Sequence, residues 1–420
     1  MTNKPQHFVL SDAQPVRDDP GLPRITEAVR EILADTVAFR RDIHQHPELS
    51  FREFRTTDQI VATLQRFGLK PHRLDSTGAY VDIGNGPIVL GIRADIDALP
   101  VTEATGLPYA SVHEGVAHAC GHDIHTAVSL GTAITLHRLV TGTAAVDTGH
   151  LSLSGRIRII FQPAEEKIPG GSLEVIRQGI LDDVPRIIAL HADPSFDVGT
   201  IGTRIGAITS ATDTVRVTLT GRGGHTSRPQ QTQDVVFALA QIAAQVPAIL
   251  SRRIDVRSGA QLTWGHIQAG HAPNAIPTTG QLAGTFRTLD ADAWDAAGKL
   301  LDEIIKQVAA PYGVNVAIDH VRGVPPVVNN EAETDLIEDA TRFELGSRTI
   351  ELAPQSMGGE DFAWMIKDIP GAMFRLGTRT PGGPTFDLHQ GDYNPDERAI
   401  GVGVQIFTQA ALRALVGAVV

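Results

Sequence analysis

The sequence predicts an α/β protein in which a larger domain with a central, largely parallel sheet carries an inserted ferredoxin-like βαββαβ domain. Three observations support this prediction. Short apolar runs rich in Val and Ile alternate with helical patterns along the first half of the chain. Residues 210–322 show a different order of strands and helices. The length of 420 residues is sufficient for two domains.

The elements of the larger domain follow from the spacing of its apolar residues. Ile25, Val29 and Ile32 are three or four residues apart, which predicts a helix over 24–45. A second helix is expected over 54–67, ending at a glycine. Two more helices are expected over 123–140 and 171–178, and short buried strands over 79–84, 88–95, 155–163 and 186–193.

The middle segment is predicted to form its own small sheet. Val215, Val217 and Leu219 occupy every second position, as in a half-buried strand. Helices are expected near 232–250 and over 291–309, and further strands over 260–270, 280–289 and 313–321. The resulting order, βαββαβ, is that of the ferredoxin-like split unit.

These patterns divide the chain into three parts. Residues 1–23 are polar and rich in proline, and we expect a flexible tail there. The larger domain is expected to comprise 24–209 and 323–420. The inserted domain is expected to comprise 210–322.

Composition and charge exclude several classes of protein. A formal net charge of -12 argues against a nucleic-acid partner, which would require a basic surface. A single cysteine excludes an internal disulfide. The N-terminus has no apolar core of signal-peptide length, and no 18-residue apolar stretch indicates a membrane span. We therefore expect a cytoplasmic protein without a membrane partner.

The cysteine lies in an unusual motif, HACGHDIHTA, residues 118–127. Cys120 and His122 are two residues apart, and a thiolate and an imidazole at this spacing can bind one metal ion or two adjacent ones. A helix that starts near Asp123 would favour the ionised thiol. Taken alone, the motif fits equally well a buried cysteine that only packs against histidines.

A pair of glutamates follows another predicted strand. In FQPAEE, residues 161–166, Pro163 ends the strand and the acidic pair comes directly after it. Adjacent side chains of an extended chain point in opposite directions, so one of Glu165 and Glu166 could bind a metal ion while the other faces a bound water. This arrangement suits a metal hydrolase with a general base. For the isolated pair, a solvated acidic turn is the more common interpretation.

Other strand ends and loops supply further ligand-type side chains. Asp95 and Asp97 end one predicted strand, His191 ends another, and His389 lies in a late loop. The carboxyl ends of parallel strands lie at one edge of a sheet, where sites of open α/β folds gather. Any one of these residues is more often structural, but their convergence predicts a two-metal hydrolytic site.

The sequence also contains a series of motifs that occur in a recognisable order. They are RRDIHQHPELSFRE, GIRADIDALPV, HACGHDIHTA, FQPAEE, GGHTSRP, APNAIP and MGGEDFAWM. Together they resemble the dinuclear-metal amidohydrolases and metallopeptidases related to aminoacylase, hippurate hydrolase and the indole-acetyl-amino-acid hydrolases. The resemblance extends from about residue 28 to the C-terminus. It implies a catalytic α/β domain with an inserted lid or dimerisation domain, which agrees with the division described above.

The resemblance implies roles for individual residues. Glu165 would be the general base, and His225 would stabilise the oxyanion, in many relatives from across a dimer interface. Asn274 and Arg287 would contact the substrate, although a surface salt bridge is an equally good interpretation of Arg287. The residues that would bind metal are Cys120, His122, Glu166, His191 and His389.

Two aspartates lie beside these motifs. Asp97 and Asp123 would orient the metal ligands from behind. A purely local role, at a strand end for one and at a helix N-terminus for the other, is nearly as good an interpretation.

The implied activity is hydrolysis of the amide bond of N-acyl amino acids, with two divalent ions per subunit (Zn, Mn, Co or Ni). A homodimer through the inserted domain is also implied. The alternatives are a dipeptidase or carboxypeptidase on the same scaffold and a metal-binding regulatory protein without turnover. A cysteine hydrolase that uses Cys120 is a weaker alternative. Gln230 after Pro229, and the loop LHQGDYNPDE, depart from the pattern of many relatives and leave the substrate open.

Overall fold

The computed structural model describes residues 21–146 and 154–417. The expected N-terminal tail lies outside these ranges up to residue 20, and of its last residues Leu22 is buried. The chain forms two compact units. Unit 1 runs to Gly206 and also contains Asn329–Pro354 and the chain from Met365 onward. Unit 2 contains Ala207–Val328 and Gln355–Trp364.

Helices and strands alternate along most of the described chain. The helices are α1 Thr26–Gln45, α2 Phe54–Arg66, α3 His122–Val140, α4 Ser172–Arg177, α5 Val235–Arg253, α6 Ala291–Ala309, α7 Glu331–Leu345, α8 Phe362–Met365 and α9 Arg398–Gly417. The first strands are β1 His72–Arg73, β2 Ala79–Asn85, β3 Ile88–Asp95, β4 Gly155–Gln162, β5 Ile187–Asp197, β6 Ile201–Thr203, β7 Gly206–Ala207 and β8 Ala211–Thr220. The later strands are β9 Gly224–His225, β10 Gln261–Ala269, β11 Ala275–Ile276, β12 Thr279–Thr288, β13 Asn315–Val324, β14 Val328–Asn329, β15 Ile350–Leu352 and β16 Gly371–Arg379.

Unit 1 contains an eight-stranded sheet in the order β1-β2-β4-β3-β5-β16-β6-β15. The four central strands, β4, β3, β5 and β16, are mutually parallel. Strand β2 joins antiparallel on one side and β6 on the other. The sheet is therefore largely parallel, as expected, and the carboxyl ends of its central strands lie at one edge.

The helices of unit 1 bury the sheet and one another. Helix α1 packs against α3 and α9, and α9 also packs against α7. Along α1 the buried residues include Val29, Ile32, Thr36 and Ile43, which follow the three- and four-residue steps of one helical face. Helices α3 and α9 are buried over almost their entire length, so they form the interior of unit 1.

Unit 2 has the predicted order of elements. Strands β8, β10, β12 and β13 form an antiparallel sheet in the order β10-β12-β8-β13, with α5 and α6 packed against it. Val215, Val217 and Leu219 are fully buried on one face of β8, which confirms the alternation seen in the sequence. The chain thus has the expected α/β fold with an inserted ferredoxin-like domain.

The two units differ from the predicted domains at each limit of the inserted domain: unit 2 begins at Ala207 and not at 210, its first segment ends at Val328 and not at 322, and it has a second segment. Residues 355–364, which the prediction places in the catalytic domain, group with unit 2. The reason is local pairing: the amide of Ser356 donates to Ile208, and the amide of Ser210 donates back to Ser356.

The expectation that no stretch is apolar and long enough to span a membrane is wrong for two helices. By length and composition alone, α5 and α9 pass that test. Helix α9 is almost wholly buried inside unit 1, as a core helix would be. Helix α5 buries one face against the sheet of unit 2 and leaves Val236 and Phe237 exposed.

Candidate metal centre

The candidate ligands of unit 1 come from four elements that meet at the carboxyl edge of its sheet. Cys120 and His122 lie at the start of α3, and His191 lies on β5. Glu165 and Glu166 occupy the turn after β4. Gly121 caps α3 with φ 86°, and a Cβ there would lie 2.9 Å from Ala192, so the close approach of α3 and β5 requires glycine.

The ligand-type atoms of these residues are close together. Sγ of Cys120 lies 3.5 Å from Nε2 of His191, and Oε1 of Glu166 lies 3.4 Å from Nε2 of His389. Several groups of ligand atoms lie within 4.8 Å of one another, and two of these groups contain Cys120: Cys120, His122 and His191 in one, and Cys120, Glu166 and His389 in the other. The structure thus brings together all five residues predicted to bind metal, and the thiol is common to both groups.

The chemistry of this cluster fits divalent cations. Nε2 of His122 and Oε1 of Glu166 are buried and have no hydrogen-bond partner within the described chain. Burial raises the pKa of both the Cys120 thiol and the Glu166 carboxyl. Buried anions and unpaired acceptors are costly unless a cation compensates them, and thiolate, imidazole and carboxylate are ligands of zinc and related ions.

The protonation states of His191 and Cys120 bear on whether these residues act as metal ligands or, for Cys120, as a nucleophile. Burial, together with the charge of Arg375, holds the pKa of His191 well below its ordinary value, so the ring is neutral, as a ligand must be. The same burial that raises the pKa of Cys120 makes it a poor nucleophile. The burial of Cys120 therefore disfavours the cysteine-hydrolase alternative, whereas a bound cation would stabilise the thiolate as a ligand.

The two glutamates are not arranged as the sequence predicts. Residues 165 and 166 form a turn, and Ala164 before them has φ 54°, in the left-handed region. As a result, Oε2 of Glu165 and Oε1 of Glu166 both lie 3.9 Å from Nε2 of His122. The prediction of opposite directions is wrong because it assumes an extended chain.

Asp97 contacts several parts of this cluster. Its Oδ1 lies 3.3 Å from Nδ1 of His122. Its two carboxylate oxygens accept the backbone amides of Glu165 and Glu166, each at 3.1 Å, and Oδ2 accepts the hydroxyl of Ser50 at 2.6 Å. Asp97 therefore fixes both the imidazole and the glutamate turn.

Asp123 makes different contacts. Its Oδ2 lies 2.6 Å from Nε of Arg40 and 2.8 Å from Nδ1 of His44, and all three side chains are buried. Burial alone would raise the pKa of Asp123, but Arg40 and His44 more than offset this and hold it below its ordinary value. Asp123 thus ties the first turn of α3 to α1.

A further buried pair lies behind His122: Asp95, expected among the ligand-type side chains at the strand ends, and His125, which had no predicted role. Oδ1 of Asp95 lies 2.6 Å from Nδ1 of His125, whose Nε2 accepts the amide of Ala192 at 2.7 Å. Since Nε2 accepts, Nδ1 carries the proton and donates to the carboxylate. The signal in the sequence is the three-residue spacing of His122 and His125, which places them on one face of α3.

The backbone positions of His191 and His389 differ from what the sequence suggests. His191 was expected at the end of its strand, but β5 continues to Asp197 because it pairs with β16 up to Arg379. His389 lies in a turn with φ 63°, a conformation that is uncommon for residues other than glycine, and its amide donates to the carbonyl of Ala119 at 2.8 Å. The backbone of Ala119 thereby anchors the loop that carries His389.

The remaining predicted residues belong to unit 2. His225 lies on β9, which pairs with β11, and it is exposed. Its Nδ1 accepts the amide of Ser227 at 3.0 Å, so a neutral ring carries its proton on Nε2. Asn274 is exposed directly before β11. The guanidinium of Arg287 donates to the carbonyl of Met357.

Comparison with known proteins supports one family. The model of peptidase family M20/M25/M40 matches residues 91–413. An N-acetyl-L-cysteine deacetylase of Bacillus subtilis is 37% identical over 90% of this chain and 88% of its own length. An N-acetyldiaminopimelate deacetylase of Geobacillus thermodenitrificans is 36% identical over 88% and 95%. A putative glutamate–cysteine ligase of Rhodococcus jostii is 43% identical over 88% of this chain, which spans only 45% of that protein.

Solved structures agree with this assignment. A putative aminohydrolase from methicillin-resistant Staphylococcus aureus has a TM-score of 0.85 and 28% identity, covering 93% of this chain and 99% of that one. The YXEP protein of Bacillus subtilis, a dinuclear metal binding peptidase of family M20, has a TM-score of 0.77 and 32% identity, covering 92% and 99%. The chain therefore belongs to peptidase family M20/M25/M40, and it is a metal-dependent hydrolase of amide bonds.

Proposed function

We propose that this protein hydrolyses N-acyl amino acids with two divalent ions bound at the cluster of unit 1. The observation that carries the proposal is the pair of ligand groups that share the thiol of Cys120, with the carboxylate of Glu165 beside His122. Two ions would be held by Cys120, His122, Glu166, His191 and His389. When bound, such ions polarise the scissile carbonyl and make water acidic enough to react near neutral pH.

Glu165 is the proposed general base. Its Oε2 lies 3.9 Å from Nε2 of His122, so it is next to the ligands, and its side chain is partly exposed. Its carboxylate would take the proton of the attacking water and later deliver it to the nitrogen of the leaving amine. Asp97 would keep this carboxylate in place through the amide of Glu165.

His225 is the proposed donor to the oxyanion. The bond from Ser227 to Nδ1 leaves Nε2–H as the free donor of the neutral ring. Such a donor would stabilise the tetrahedral oxyanion by about 3–4 kcal/mol. Asn274, one residue before the strand that pairs with His225, is proposed to contact the substrate together with Arg287.

For the substrate, the names of relatives favour small N-acyl groups. Two relatives of Bacillus subtilis that are 37% and 35% identical act on N-acetylcysteine, by name, and others act on N-acetyldiaminopimelate. We therefore propose an N-acetylated amino acid, with N-acetylcysteine as the first compound to assay. We propose a cytoplasmic location, because a chain with a single cysteine can form no internal disulfide of the kind that persists in oxidising compartments.

For the assembly, we propose a homodimer through unit 2. Val236 and Phe237 on α5 and Ile267 on β10 are large exposed apolar side chains. Strand β10 lies at the edge of its sheet, and a cavity of about 530 Å³ is lined in part by Phe237. A second copy would cover these groups. Sedimentation should show a dimer that Phe237→Asp converts to a monomer, and a monomeric wild type would contradict the proposal.

The test of the activity is a screen of purified protein. N-acetyl, N-benzoyl and indole-acetyl amino acids and dipeptides are assayed with Zn, Mn, Co or Ni added, and again after chelation. We expect hydrolysis of at least one N-acyl amino acid, its loss on chelation and its return with metal. Faster cleavage of dipeptides would favour the peptidase alternative. Bound metal without turnover on any compound would favour the regulatory protein.

A further inference from the structure

The turn that carries the two glutamates is held by two buried carboxylates. Three successive backbone amides donate to them: Ala164 to Oε1 of Glu53 at 2.8 Å, and the next two residues to Asp97 at 3.1 Å each. Asp97 was expected beside the metal ligands. Glu53, more than a hundred residues away in the sequence, lies at the end of the motif RRDIHQHPELSFRE and had no assigned role.

Hydrogen bonds hold both carboxylate oxygens and the backbone carbonyl of Glu53. It is fully buried, and Oε1 also accepts the amide of Phe51 at 3.0 Å. Oε2 accepts the hydroxyl of Thr77 at 2.6 Å. Its backbone carbonyl accepts the hydroxyl of Thr57 at 2.6 Å. The carboxylate therefore has little freedom to move away from Ala164.

Ala164 is in a conformation that needs such support. Its φ of 54° lies in the left-handed region, which alanine seldom adopts without tertiary restraint. Its carbonyl accepts the amide of Gly171 at 2.9 Å, where a Cβ would lie 1.9 Å from the carbonyl oxygen of Pro163. The turn is thus restrained from both ends, with Glu53 holding the amide.

We propose that Glu53 is a positioning residue, which holds Ala164 in its left-handed conformation and so directs the carboxylates of Glu165 and Glu166 towards His122. The inference rests on the proposed function for the roles of those two glutamates. Glu53 touches neither substrate nor ligand. Its contribution is an acceptor at the Ala164 amide, not a charge near the reacting atoms.

The conservative variant follows from this chemistry. In Glu53→Gln, the amide oxygen would take the place of Oε1 and accept the same two backbone amides. The amide nitrogen would donate to Thr77, whose hydroxyl can turn to accept. Glu53→Ala removes the acceptor, and Glu53→Met removes it while filling the same space. Glu344→Ala is the matched control, since Glu344 is a buried carboxylate of unit 1 that accepts the amide of Ile25.

The experiment measures metal affinity by chelator competition with Zn and with Mn, kcat and KM on the best N-acyl amino acid, and the melting temperature. For Glu53→Ala we expect a 10- to 100-fold weaker metal affinity and a fall in kcat with little change in KM. Glu53→Gln should stay within about threefold of wild type in both. Glu344→Ala should lower only the melting temperature. Glu53→Met should have the same effect as Glu53→Ala. If the Glu53→Ala protein does not fold, Glu53→Met provides the comparison.

A second-site variant tests the mechanism. Glycine adopts φ near 54° without strain, so Ala164→Gly combined with Glu53→Ala should restore metal affinity at least several-fold relative to Glu53→Ala alone. Wild-type metal affinity in both acceptor-less variants would overturn the proposal, and so would a Glu53→Gln variant as weak as Glu53→Ala. If wild type hydrolyses none of the amides, the proposed function fails, but the metal-affinity comparison still decides the role of Glu53.

Discussion

The two regions that contain the candidate functional residues are built in opposite ways. In unit 1, Cys120, His122 and His191 are buried, and carboxylates from behind fix the elements that carry them. In unit 2, His225 and Asn274 are exposed at a ribbon of two-residue strands. A buried cluster of donors suits the permanent retention of cations. An exposed imidazole held by one backbone bond suits contact with a substrate that comes and goes.

Because of this difference, substitutions in the two regions should have different effects on metal binding and on the rate. Changes behind the buried cluster should alter metal binding, and through it the rate. Changes on the exposed ribbon should alter the rate at constant metal content. Glu165 is the exception in unit 1, because as the proposed general base it should alter the rate and not metal binding.

Glu165→Gln should have the largest effect. Glutamine cannot accept the proton of water, so kcat should fall by about 10²- to 10⁴-fold. The metal content should stay at the wild-type level, because Glu165 is not one of the five proposed ligands, although its carboxylate also lies within 4.8 Å of ligand atoms of His122 and Glu166. Steady-state kinetics and elemental analysis on the same sample measure both. Hydrolysis at the wild-type rate would show that another group is the base.

His225→Ala should have the next largest effect. Loss of one donor to the oxyanion should lower kcat by about 10²- to 10³-fold. Metal content and melting temperature should not change, since the residue is exposed on a short ribbon. The control is His72→Ala, another exposed histidine, which stacks on Tyr80 in unit 1 and should remain fully active. A loss of metal in His225→Ala would break the separation between the two regions.

Asp97→Ala should weaken metal affinity by about 10- to 100-fold, because it frees both the His122 ring and the glutamate turn. Asp213 provides the matched control in unit 2. It too is a buried carboxylate with several donors, among them Trp294 and His320. Asp213→Ala should lower the melting temperature and leave metal affinity at the wild-type value. Equal loss of metal in both variants would indicate general destabilisation.

Much of this architecture could be predicted from the sequence. The periodicities gave the strands and helices of unit 2 and the first half of unit 1, because each follows its apolar spacing. The candidate ligands were named through the motifs that resemble the family, and the apolar runs before His191 and before the glutamates suggested only that these residues lie near one edge of the sheet. The prediction assigned no individual element after residue 322 and so missed β16, a central strand buried on both faces that lacks the alternation of a half-buried one.

Other features could not be predicted because they depend on contacts between distant segments. Ala164 and His389 have left-handed backbones, which only a few per cent of residues other than glycine adopt, so the residue type alone does not predict them. The role of Glu53 depends on an amide 111 positions away. The sequence places Asp123 beside the ligands, but it does not show that Asp123 contacts Arg40 and His44, because those two residues belong to a different helix.

The change with the smallest expected effect on activity is Glu53→Gln, and it tests how the stability of the buried side of the comparison depends on pH. Burial raises the pKa of Glu53 from 4.5 to about 7, so the folded protein keeps this proton over a range in which the unfolded chain has lost it. Stability should therefore fall as pH rises from about 4.5 to about 7, by up to about 3 kcal/mol from this group. Glu53→Gln does not titrate and should lack this decline. The melting temperature of the wild type, relative to that of Glu53→Gln, should thus decrease between pH 5.5 and 8. A constant difference would mean that Glu53 is already ionised at pH 5.5, and that the hydrogen bonds from Ala164, Phe51 and Thr77 outweigh its burial.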